Sequence, residues 1–286
     1  MNRTVIVTDS TSDIPPSMAS ELGIEVVPLT LMFGGESFRD GIDMTPEQFY
    51  ERLPRSSQLP TTSQPSPVEY MNAYRRIMEQ YPDSKILSFH ISSGLSGTYQ
   101  SALLAKSMLE EEGERITVYD SLSASYGFGL LVVHAARLSA EGKSPEEILE
   151  SVEALRQSRK LYFLVDTLEY LQKGGRIGKA SAILGTLLNI KPILSIDQEG
   201  IIYAVEKVRG RKKAVARMIE LFKSDLPGVS VINVAVGHTA EPSSAEEFLQ
   251  ELSQHFTLRE RVLTNVGPVV GSHVGNGTLA VFIWPA

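Results

Sequence analysis

The sequence predicts an α/β protein of two domains, and three observations carry that prediction. Apolar, β-branched segments run into polar loops and then helical patterns at Thr4–Thr8, Ile86–Ile91 and Ile116–Tyr119, which is the repeating unit of a parallel sheet. From Ile190 onward the pattern changes to a hairpin followed by strands and helices, the signature of an α+β unit. The chain has 286 residues, and domains run to about 100–200. These observations divide it into an N-terminal parallel-sheet α/β domain at 1–164 and a C-terminal α+β domain with antiparallel pairs at 165–286.

The elements can be justified in order. Thr4–Thr8 is the first strand, and Asp9-Ser10-Thr11-Ser12-Asp13 is a cluster of turn and cap residues before Pro15. Thr45-Pro46-Glu47-Gln48, Ser66-Pro67-Val68-Glu69 and Ser144-Pro145-Glu146-Glu147 each place a hydroxyl at a helix cap, Pro in the first turn and Glu or Gln three residues after the cap. The helix after Ser66 carries Met71, Tyr74, Met78 and Tyr81 as a core stripe. A helix follows at Tyr99–Glu112, and an apolar one runs from about Ser125 to Ala140 before Gly142. Asp166-Thr167 caps a short helix that ends at Gly174-Gly175. Pro192–Ile196 and Ile201–Val205 form a hairpin about Asp197–Gly200, and a basic helix covers Lys212–Ser224. Val231–Val236 is a strand, Ser244–Phe256 a helix, and two last strands surround Gly267–Gly277, within which Gly271–Gly277 reads as a glycine-bracketed loop.

Composition excludes several function classes. With no cysteine, the chain has no disulfide, zinc knuckle, iron–sulfur ligand or cysteine nucleophile. The five histidines, at 90, 134, 238, 255 and 273, show no metal-ligand spacing. The net charge is −7, but residues 173–217 hold 10 basic and 3 acidic side chains. An acidic whole with one basic segment argues against nucleic-acid binding and for a local anion site or an acidic partner surface. The start of the chain carries no signal-peptide apolar run and no segment is long enough to span a membrane, so a cytoplasmic protein without integral membrane association is expected, by default a monomer.

Two hydroxyl-rich segments precede helices, Pro60–Ser66 and Ser92–Thr98. Unpaired N–H groups at helix starts, glycine for close approach and hydroxyl donors suit a carboxylate or phosphate. Gly94-Leu95-Ser96-Gly97-Thr98 does not fit a hydrolase nucleophile elbow, and Gly174–Ala180 lacks the first glycine and the hydroxyl of an ATP phosphate loop. Gly275–Ala280 leads into a strand, which excludes a dinucleotide fingerprint. Arg176 and Arg209 stand beside glycines, a setting that suits capture of carboxylate or phosphate.

Thr8–Asp13, Thr62-Ser63-Gln64-Pro65, Ser92–Tyr99, Lys173–Ile177, Ile190–Ile193 and Gly271–Gly275 occur in the order found in the DegV family of bacterial fatty-acid-binding proteins. The sequence resembles that family over nearly its whole length. The resemblance implies a two-domain protein that sequesters one long-chain fatty acid, such as palmitate, in an apolar tunnel, with no cofactor, no metal and no catalysis of its own. It further implies that the carboxylate is presented to a separate ATP-dependent fatty-acid kinase, which makes an acyl phosphate for phospholipid synthesis. By motif position, Thr62 and Ser93 would bind the carboxylate, with Thr61, Ser63 and Ser92 as neighbours and His273 at the head-group end. Arg176 and Arg209 would face the kinase or the transferred phosphoryl group, away from the tunnel walls. Two rival readings of the residues stay open. One is an enzyme or binding protein for a small phosphorylated substrate, cradled by Ser92–Thr98 with His273 as acid or base; the other is an interaction module acting through residues 173–217.

Overall fold

A computed structural model describes residues 4–185 and 190–286; the reading of Met1–Arg3 as part of the chain start lies outside them. The first half contains β1 (Thr4–Asp9), α1 (Pro16–Glu21), β2 (Glu25–Val27), β3 (Thr30–Phe33), β4 (Glu36–Arg39), α2 (Pro46–Arg52), β5 (Thr61–Ser63), α3 (Pro67–Gln80), β6 (Lys85–His90), α4 (Thr98–Met108), β7 (Ile116–Asp120), α5 (Tyr126–Ala140) and α6 (Pro145–Ser158). The second contains β8 (Lys160–Leu164), α7 (Glu169–Lys173), β9 (Ile190–Ile196), β10 (Ile202–Arg209), α8 (Arg211–Asp225), β11 (Val231–His238), α9 (Pro242–Leu252), β12 (Thr257–Asn265), α10 (Pro268–Val274) and β13 (Leu279–Pro285).

Strands β2-β1-β6-β7 form a parallel sheet. Side chains alternate across its faces, so Val5, Val7, Ile86 and Ile116 pack on Tyr70, Tyr74 and Ile77 of α3 and Ala102 and Ala105 of α4. Ile6, Leu87 and Phe89 face the other way, into the larger core with α5. The predicted helix starts at Thr45, Ser66 and Ser144 all form, each as a reciprocal capping box.

The second sheet has the order β10-β9-β8-β13-β11-β12. It is antiparallel except for β11 and β12, which run parallel across α9. One face carries Tyr162, Leu164, Ile193, Val281 and Ile283 against α8 and α9, and the other carries Phe163, Leu194, Ala280 and Phe282 toward the first half. Strand β8, on the N-terminal side of the expected division at 164/165, pairs with β13 and β9, so the chain enters the second sheet before that point.

Two further expectations change. Thr61–Ser63 is the edge strand of a small antiparallel sheet, β4-β3-β5, rather than a loop at a strand-to-helix crossing. The glycine-bracketed segment before β13 is not a loop throughout, because Pro268–Val274 is helical. Its Pro at the first position and Gly275 just past its end, at φ +73°, are the start and stop signals of a short helix. Among the described residues no helix is long and apolar enough to cross a membrane.

Candidate functional site

A cavity with about 880 Å³ of atom-free space, its open mouth included, lies where the two halves meet. Its floor is the inner face of the second sheet, with Leu161, Phe163, Ile196, Ile202, Ala280 and Phe282. The loops leaving the carboxyl ends of β1, β6 and β7 contribute Thr11, Ile91, Leu95, Ser96, Ala124 and Ser125. Parallel sheets place ligands at those ends, next to the point where the strand order reverses, which here lies between β1 and β6. Helix α10 closes one side with Val269, Val270, His273 and Val274.

Thr62, Gln64, Ser96, Arg176 and His273 of the polar lining gather at one place, whereas the Thr11, Ser125 and Thr278 hydroxyls donate to Asp9, Asp13 and the Val274 and Gly275 carbonyls. On β5, alternation turns Thr62 inward and leaves Thr61 and Ser63 exposed. Thr62 Oγ1 lies 2.9 Å from His273 Nε2, within a hydrogen bond. Arg176 lines the same end, its Nε donating to Leu95 O at 3.0 Å and its Nη1 to Gly174 O at 2.6 Å. Ser96 is one residue beyond Leu95, its hydroxyl 2.8 Å from Thr98 Oγ1. Gln64 reaches the lining next to Gly97, where a Cβ would stand 2.6 Å from its side-chain nitrogen. Gly174 is needed for a similar reason, since a Cβ there would come 2.3 Å from His273 Nδ1.

Burial, and then the Arg176 charge beside it, push the His273 imidazole down to about 4, so the ring is neutral at neutral pH. Its Nδ1 is buried with no partner among the described residues. A buried N–H left unpaired costs more than an idle lone pair, which assigns the proton to Nε2, donating to Thr62. The Thr62 hydroxyl proton is thereby free to point at a ligand. Arg176 supplies the formal positive charge, and no Asp or Glu is among the lining residues.

The other residues singled out from the sequence stand elsewhere. Leu95 N and Ser96 N both donate to Ser92 O, closing one turn that buries Ser92, exposes Ser93 and brings Ser96 over the cavity. Ser92 donates to Gly200 O at 2.9 Å, and the Ser93 N–H donates to the Asp120 carboxylate. Ser96 is among the residues lining the cavity, and Ser92 and Ser93 are not. Arg176, expected away from the tunnel walls, is part of them. Arg209 is exposed at the end of β10 and has no ion pair among the described residues. The apolar floor was missed because its residues come from strands that read simply as core.

Comparison with known proteins agrees with this architecture. The family model for DegV, described as an uncharacterised protein of the DegV family, matches residues 3–286. The chain belongs to the DegV family. A DegV domain-containing protein of Halalkalibacterium halodurans is 37% identical over 281 residues, covering 98% of each chain. A solved structure described as showing fatty acid binding of a DegV family protein from Thermus thermophilus superposes with a TM-score of 0.92 at 38% identity, covering 99% of this chain and 100% of that one. A stearic-acid-binding protein from Eubacterium ventriosum gives 0.90 at 29% identity, covering 100% and 98%. Solved structures similar to this chain thus bind fatty acids as ligands, one of them described as a DegV family protein. In this DegV chain no group of three or more His, Asp or Glu residues among those described is placed to hold a metal.

Proposed function

We propose that this protein binds one long-chain fatty acid, with the acyl chain on the apolar floor and the carboxylate held by Thr62, Ser96 and Arg176, while His273 orients the Thr62 hydroxyl. The observation that carries the reading is the form of the cavity, an apolar body with Thr62, Ser96, His273 and Arg176, the one cation among the described lining residues, collected at a single end. Fatty-acid binding in solved structures similar to this chain supports it. A palmitate tail offers ~15 carbons at roughly 0.8 kcal/mol each, on the order of 12 kcal/mol gross before ordering costs. Each hydrogen bond to the carboxylate adds about 1.5–3 kcal/mol and fixes which end enters.

The Thr62–His273 pair is not arranged as a nucleophile and its base. The ring is a weak base at about 4, and nothing orients it at Nδ1. This favours holding a ligand over acting on it. Presentation of the carboxylate to an ATP-dependent fatty-acid kinase, giving an acyl phosphate for phospholipid synthesis, is the role that fits such a holder, and it belongs in the cytoplasm. Arg209 and Lys207, Lys212 and Lys213, which have no ion pair among the described residues, lie around the start of α8 and would meet that partner.

Competition between palmitate and its methyl ester tests the carboxylate end. The free acid is expected to bind at least about tenfold more tightly, since the ester keeps the tail but loses the charge met by Arg176 and Thr62. In Thr62→Val that preference should shrink. Equal affinities in the wild-type protein would contradict the reading.

A further inference from the structure

Three buried carboxylates, Asp9, Asp13 and Asp40, lie behind the cavity wall, and none forms an ion pair with Lys or Arg among the described residues. Asp9 is taken up locally by Thr11, His90 and the Ile91 N–H. The other two reach the turn between β12 and α10. Gly267 N–H donates to Asp13 Oδ1 at 2.9 Å and Val269 N–H to Asp40 Oδ1 at 3.3 Å, while Pro268 between them has no N–H to offer. Tyr50 donates its hydroxyl to Val266 O at 2.8 Å, and Val266 N–H donates to His238 O at 2.9 Å. Every backbone donor from Val266 to Val269 is thus held, two of them by carboxylates that carry a desolvation cost an apolar side chain would not. The turn is also closely packed against these side chains. A Cβ on Gly267 would stand 2.8 Å from Asp13 Oδ1, and one on Gly271 would stand 2.4 Å from the Tyr50 hydroxyl.

Helix α10 has seven residues, and its far end carries His273. A tilt at its start therefore moves the imidazole relative to Thr62 on β5. Asp13 further accepts from Ser125 at 2.5 Å, and Ser125 itself lines the cavity at the start of α5. The charged or titratable groups facing the two carboxylates are Asp9, Tyr50 and each other.

We propose that Asp13 and Asp40 are positioning residues for the head-group end of the cavity, holding α10 so that His273 meets Thr62. The inference rests on the fatty-acid reading for its functional meaning, but its geometric content can be measured without ligand. Asn at position 40 keeps an accepting oxygen for Val269 N–H, whereas Ala removes it.

The experiment is an NMR titration of the imidazole carbons in the ligand-stripped full chain, for wild type, Asp40→Asn, Asp40→Ala and Tyr50→Phe, with thermal unfolding recorded on each. His273 should titrate at about 4 in wild type and in Asp40→Asn. In Asp40→Ala, and less so in Tyr50→Phe, the midpoint should rise by about one unit or more toward the ordinary value as water reaches the ring. The preference for palmitate over its methyl ester should fall about tenfold in Asp40→Ala and be retained in Asp40→Asn. A folded Asp40→Ala whose midpoint stays at the wild-type value overturns the proposal. Should that variant not fold, an unmoved midpoint in Tyr50→Phe overturns it. Failure of the wild-type protein to bind palmitate would instead count against the fatty-acid reading and leave the titration interpretable.

Discussion

Ala280→Phe is expected to lower the affinity for palmitate by roughly a hundredfold while leaving the fold intact. Ala280 stands on β13 directly opposite Phe163 of β8, and both side chains face the cavity floor. A phenyl ring added there enters open space rather than a filled core, so the usual overpacking cost of about 1–3 kcal/mol does not apply. The ring takes room from the acyl chain instead. Denying roughly four methylenes their burial at ~0.8 kcal/mol each removes about 3 kcal/mol of binding. Titration calorimetry with palmitate and with a short-chain acid checks this, the short acid losing less. An unchanged palmitate affinity would place the tail somewhere other than this floor.

Arg209→Ala should leave bound fatty acid at the wild-type level and reduce kinase-dependent acyl-phosphate formation roughly thirtyfold or more. Arg209 is exposed, lies outside the cavity and has no ion pair among the described residues, so its removal disturbs neither core nor pocket. Arginine anchors at interface centres typically cost 2 kcal/mol or more on truncation, which converts to about that factor. Fatty acid content and ATP consumption measured on one preparation separate the two effects. Lost lipid would move Arg209 into the pocket, and full activity with a cognate kinase would make it an ordinary solvated side chain. Arg176 cannot serve for this test, because it lines the cavity and its truncation would touch binding as well.

The parts of the fold that were legible in the sequence are those written locally. The capping boxes at Thr45, Ser66 and Ser144 need only four consecutive residues, and the parallel strands announce themselves by β-branched runs that end in polar loops. What tertiary pairing decides was not legible. Thr61–Ser63 has no strand signal of its own and becomes one only by pairing with β3. Helix α10 is short and glycine-rich, and what holds its start comes from Asp13 and Asp40, more than 200 residues away in the chain. The hydroxyl loop after β6 stood out in the sequence, but which of its serines faces the cavity depends on the sense of one turn. The hydrogen bonds from Leu95 and Ser96 to Ser92 O expose Ser93 and bring Ser96 into the cavity lining. Arg176 next to a glycine read as a partner-facing side chain away from the tunnel walls. Its bonds to Leu95 O and Gly174 O, and its place beside His273, decide for the wall.

The most direct test of the central claim is mass spectrometry of the organic extract of the freshly purified protein, alongside the native mass of the intact chain. A cavity floored by Phe163, Ala280 and Phe282 and closed by a single cationic end should retain its ligand through purification. The expected result is one long-chain fatty acid per chain, removed by extraction and restored on adding palmitate. A native mass equal to that of the bare polypeptide, with no fatty acid in the extract and none taken up when palmitate is supplied, would contradict the account.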